Sequence, residues 1–151
     1  MMDPLFYLTI KHFHSAARWL LLVALAVSVG YSFYAVFRKI GLSASGRLFS
    51  RITMYLAHFQ LLIGILLYLI SPKVVFDMSS MKDPILRFHL VEHLLAMIVA
   101  ITLITLGYTG LKKAGPSYSS SRRICWYYGI ALLLILLVIP WPFLSYGAGW
   151  I

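Results

Sequence analysis

Several ionisable side chains lie where an apolar chain should have none. Long hydrophobic runs carry His12, His14 and Arg18 in the first, His58 in the second, and His89, Glu92 and His93 in the third, while the fourth has none. An ionisable group inside a membrane span is costly and turns toward the bundle interior or a cavity, so each is a functional-site hypothesis. A membrane imidazole can ligate iron or hydrogen-bond a neighbouring helix. An Arg there can grip a carboxylate with its forked guanidinium.

Spacing sorts these residues. His14 lies ten residues beyond Pro4 and His93 nine beyond Pro84. At ~1.5 Å per residue both imidazoles sit about 14 Å along helices that start on the same side. Parallel first and third helices are diagonal in an up-down bundle. Two imidazoles at equal depth across it are what bis-histidine ligation of a haem iron requires. His58 lies about one turn deeper and is the alternative ligand. Arg18, one turn inward from His14, can meet a haem propionate, pair with Glu92 or snorkel to the surface. His12 and His89 read more simply as solvated or headgroup-contacting groups near the outer interface. Gly64, with Ala57 and Gln60, reads as close helix packing, although a missing side chain also gives a flat macrocycle room.

The elements that must hold these residues are four membrane helices. Of the 151 residues, 62% are hydrophobic and 11% charged, against about a quarter charged in soluble domains. The expected class is all-α, an integral membrane up-down four-helix bundle in one domain covering 1–151. Its helices are expected near 4–38, 48–71, 84–112 and 122–140, each close to the ~20 apolar residues that cross a bilayer. Asp3-Pro4 and Asp83-Pro84 read as N-caps followed by Pro at the first helical position; Ser71-Pro72 and Pro140-Trp141-Pro142 read as stops. The N-terminal run is longer than a usual signal peptide and is read as a retained helix. Loop 3, with Gly115-Pro116 and the serine-rich stretch 117–121, is expected to be the most mobile segment. Cys125 is the only cysteine, so a disulfide within the chain and a thioether-linked haem are both excluded.

Charge sets the expected orientation. The first and third loops carry Arg38, Lys39, Arg47, Arg51, Lys112, Lys113, Arg122 and Arg123 without an acid, while the second mixes Lys73, Lys82 and Arg87 with Asp77 and Asp83. The positive-inside rule places loops 1 and 3 in the cytoplasm and both termini outside, with Trp141, Tyr146 and Trp150 as an aromatic belt at that outer face. The net charge of +9 forms no continuous stripe, so nucleic acid is not an expected partner. The basic residues flank spans and suit anionic headgroups.

His14-Ser15-Ala16-Ala17-Arg18-Trp19, His58-Phe59-Gln60 followed by Gly64, Leu67-Tyr68 and Ser71-Pro72, then Glu92-His93, and finally Ile139-Pro140-Trp141-Pro142-Phe143 occur in that order. Together they resemble the small four-helix cytochrome b-like membrane proteins common in Bacteroidota, over nearly the whole chain. The usual pattern there has Gly after His-Ser, where this chain has Ala16. A more distant likeness is to one half of haem A synthase. The resemblance implies a haem-binding bundle in a bacterial inner membrane, and it adds His58 to His14 and His93 as a matched histidine. A third histidine exceeds the needs of one haem, so it would touch a propionate, a quinone or a second metal, or replace one of the pair.

The resulting expectation is a haem b-binding membrane cytochrome that transfers electrons, held by His14 and His93 with His58 as the alternative and Arg18 at the cofactor. Quinol in the membrane, a periplasmic carrier, a larger membrane complex or a homo-oligomer are the partners this reading admits. Neither a nucleophile-base set nor a His-Glu-x-x-His zinc motif is present, so electron transfer is preferred to stand-alone enzymatic activity. The rivals are a cofactor-free accessory subunit of a respiratory or photosynthetic complex and a haem or metal carrier.

Overall fold

A computed structural model of the chain describes residues 4–141 and 143–144. Asp3, Pro142, Tyr146 and Trp150, to which the sequence gives a cap, a stop and part of the aromatic belt, lie outside the described residues. The fold is an all-α four-helix bundle: α1 (Pro4–Phe37), α2 (Ala44–Ile70), α3 (Pro84–Ala114) and α4 (Tyr118–Val138). All four are long and apolar enough to cross a membrane. The 34 residues of α1 span about 50 Å, well beyond a ~30 Å hydrocarbon core.

Local chemistry fixes the ends. Ser43 starts α2, its hydroxyl accepting from Gly46 N at 3.1 Å. At α3 the Asp83 carboxylate accepts from Ile85 N (2.8 Å) and Leu86 N (3.1 Å), and Pro84 at the first position needs no partner for an N–H it lacks. The helix α4 starts earlier than its apolar run suggests. Ser117 accepts from Ser120 N at 3.2 Å, and Ser121 donates to Ile40 O of loop 1 at 2.9 Å. The serine-rich part of the stretch expected to be mobile is therefore a capped first turn with Ser120 and Ser121 buried. Short hydroxyls satisfy the free backbone groups at helix starts better than they serve helix interiors.

Around the bundle α1 packs on α2 and α4, and α3 packs on α4 and α2, which leaves α1 and α3 on the diagonal. Leu25, Ala57, Ile104, Ile124 and Ala131 fill the core. Two polar ties cross it: Ser28 and Thr53 share a hydrogen bond at 3.0 Å, and Tyr128 donates to Ser50 O at 2.8 Å. Loops 1 and 3 meet so closely that a Cβ on Gly41 would lie 1.8 Å from Pro116 O; only glycine admits that contact.

Candidate functional site

A cleft opens between α1 and α3 at the end of the bundle that carries loop 2. His14 and Arg18 line it from α1, His89 and His93 from α3, and Gly64 and Tyr68 from α2. The diagonal pair singled out by depth thus shares one cavity. The cleft is half open along its length, with about 140 Å³ of space between the side chains.

His93 is oriented by the end of α4. Its Nδ1 is 3.1 Å from Val138 O, a carbonyl freed because the helix stops there. A carbonyl can only accept, so Nδ1 carries the proton and Nε2 presents its lone pair. This is the arrangement that orients metal-bound imidazoles. Behind the ring stands Phe88, buried at 5% exposure, with ring centroids 5.8 Å apart. A π-helical turn, Phe88–Glu92, makes that contact: His93 N donates to Phe88 O, five residues back, which brings residues at that spacing onto one side. The same turn joins Arg87 Nε to Glu92 Oε1 at 2.7 Å. Glu92 is thereby exposed and paired with Arg87, away from the Arg18 partnership considered from sequence.

His14 is held by α2. Gln60 Nε2 donates to His14 O at 2.9 Å, and one turn on, a Cβ at Gly64 would sit 3.4 Å from His14 Cε1. The His58-Phe59-Gln60 and Gly64 motif thus works through Gln60 and Gly64, which clamp the backbone of His14 and seat its ring. Among the described residues, no hydrogen bond engages Nε2 of His14 or His93, and the buried Nδ1 of His14 has no partner.

His58 is elsewhere. Its Nδ1 lies 2.8 Å from Met54 O on its own helix and its Nε2 3.5 Å from Thr105 Oγ1 on α3, in a separate shallow hollow with Leu61 and Thr102. The structure brings His14, His93 and Arg18 together and leaves His58 outside their cleft. His12 is exposed, whereas His89 lines the cleft. Arg18 also stacks over Trp19, its guanidinium carbon 5.3 Å from the ring centroid; Trp19 meets Trp141 edge-on at 6.2 Å.

Two cations that sequence spacing passed over complete the cleft: Lys11, one turn before His14, and Lys73 from loop 2. Burial, then the nearby Lys11 charge, holds the Lys73 ammonium below its ordinary range. A cleft with three cations favours an anion. Lys11 was legible as a neighbour one turn from His14; Lys73 was not, because loop 2 folds back over the cleft only in three dimensions. Among the described residues, no cluster of three or more His, Cys, Asp or Glu could hold a bare metal ion. Comparison with family models, curated proteins and solved structures finds no match to the chain.

Proposed function

We propose that the chain is a haem b-binding membrane cytochrome: His14 and His93 would hold the iron, and Arg18, Lys11 and Lys73 would receive the propionates. The single observation that carries this reading is two imidazoles with open Nε2 atoms in one cleft on the bundle diagonal. A bare ion would want three or four protein ligands, whereas a macrocycle brings four nitrogens and asks only for two imidazoles. The cations beside them match the two carboxylates that such a group carries. The haem supplies one-electron oxidation and reduction when bound. The chain's residues do the rest: Val138 O fixes the His93 tautomer, Gln60 and Gly64 seat His14, and Phe88 shields one ligand from water. His58, bonded within α2 and toward α3, serves as a polar tie between helices. The cleft opens at the loop 2 end, which the positive-inside rule makes the periplasmic face of an inner membrane, so its electron partner is a quinol or a periplasmic carrier.

The test is haem content. Protein purified in mild detergent from haem-replete cells should give a sharp reduced α-band and about one haem b by pyridine haemochrome. His14→Ala and His93→Ala should each lose it, and His58→Ala should keep it. A colourless wild-type protein would overturn the reading in favour of a cofactor-free subunit.

A further inference from the structure

The opposite end of the bundle, formed by loops 1 and 3, holds another hollow of about 450 Å³ between the first turns of α2 and the last turns of α3. Arg47 and Arg51 reach it from α2, and Tyr108, Leu111 and Lys112 from α3. Arg47 and Arg51 are four residues apart on one helix face, a spacing at which like charges repel. Lys112 adds a third cation from across the groove. No acid answers them: Asp77, Asp83 and Glu92, the carboxylates among the described residues, all belong to the loop 2 end. Arg47 spends one donor on Leu42 O at 3.2 Å, which leaves most of its fork to spare. The 27-residue helix α2 also turns its positive N-terminal end toward the hollow. The α3 C-terminus contributes the opposite partial charge, which Lys112 and Lys113 in its last turn more than offset. Three cations and a phenol stand over an apolar floor of Leu111, beside the exposed Leu48.

We propose that this hollow is a binding site for the phosphate of an anionic phospholipid. The phosphate sits on Arg47, Arg51 and Lys112 with the Tyr108 hydroxyl available as a donor, and the acyl chains run past Leu48 down the outside of α2. Two observations favour a lipid over a soluble phosphate: the hollow lies where two spans end, and its floor is apolar. A basic pocket at that level neutralises its own repulsion with a headgroup. The site is independent of the haem reading.

The experiment titrates purified, delipidated protein in neutral detergent with short-chain phosphatidylglycerol, short-chain phosphatidylcholine and inorganic pyrophosphate, read by thermal unfolding and native mass spectrometry. Phosphatidylglycerol should saturate one site. Arg51→Gln and Lys112→Gln should each weaken it about fivefold, while the charge-matched single variant Arg122→Gln, outside the hollow, should bind as wild type. Arg47→Gln should behave likewise; because it also removes the bond to Leu42 O, the other two variants carry the test if it misfolds. Equal affinity for phosphatidylcholine, or an equal loss in Arg122→Gln, would overturn the proposal. Pyrophosphate binding as tightly as phosphatidylglycerol would assign the hollow to soluble phosphates instead.

Discussion

At the scale of residues, the two proposed ligands differ in how they are held, and substitutions should separate them. His93 leans on a carbonyl released by the end of α4; His14 leans on Gln60 through its own backbone. Gln60→Ala should lower thermal stability by about 0.5–1 kcal/mol, the usual worth of an interhelical membrane hydrogen bond, and reduce haem retention without abolishing it. Unchanged stability and unchanged haem would remove Gln60 from the account. Lys73 gives a pH signature. Its folded pKa lies below the unfolded value because of burial and then Lys11, so the unfolded chain binds more protons between the two. Haem-free protein should therefore gain stability as pH rises from neutral toward the ordinary lysine range of ~10.4. Lys73→Met should lose that part of the rise. Thermal unfolding across pH decides it, and a wild-type protein whose slope matches that of Lys73→Met would refute it.

At the scale of elements, the π turn of α3 matters most. Deleting Val91 should restore a regular helix in which Phe88 and His93, and Arg87 and Glu92, become four-residue neighbours that still share a face. Circular dichroism should show helix content preserved and haem retention largely kept; a sharp loss of haem would show that the facing of the residues inside the turn is itself needed by the site. Gly64 offers a graded test on α2. Gly64→Ala places its Cβ at an ordinary 3.4 Å contact with His14 and should be tolerated, whereas Gly64→Leu should displace the ring and lower haem content. What the sequence made legible at this scale follows from locality. Asp83-Pro84 and Ser71-Pro72 announced their boundaries because a cap and a proline act on their own neighbours. Ser43 and Ser117 were hidden among polar loop residues, since a serine reads equally as cap or linker until its acceptor geometry is known. The π turn leaves no pattern in Phe88-His89-Leu90-Val91-Glu92, because an inserted residue shows itself only as an altered facing. Depth along parallel helices anticipated that His14 and His93 would line one cleft and could not place His58, whose partners Met54 and Thr105 depend on its rotation about α2.

At the scale of the whole molecule, charge and cleft lie at opposite ends. Loops 1 and 3 are uniformly basic and tied together by Gly41 against Pro116 and by Ser121 on Ile40 O. The histidine cleft opens beside loop 2, where the described carboxylates collect. If the basic end faces the cytoplasm, cysteines placed at Ser45 or Ser119 in a Cys125→Ala background should resist a membrane-impermeant thiol reagent in intact cells, and one at Ser79 should react. The reverse pattern would invert the molecule and move the cleft to the cytoplasmic face. The most direct test of the central claim, that His14 and His93 together hold a haem iron, is the electron paramagnetic resonance spectrum of the oxidised protein. Two imidazole ligands predict a low-spin ferric signal that disappears in both His14→Ala and His93→Ala and persists in His58→Ala. A low-spin haem that survives loss of either cleft histidine, or protein from haem-replete cells with no ferric signal at all, would contradict it.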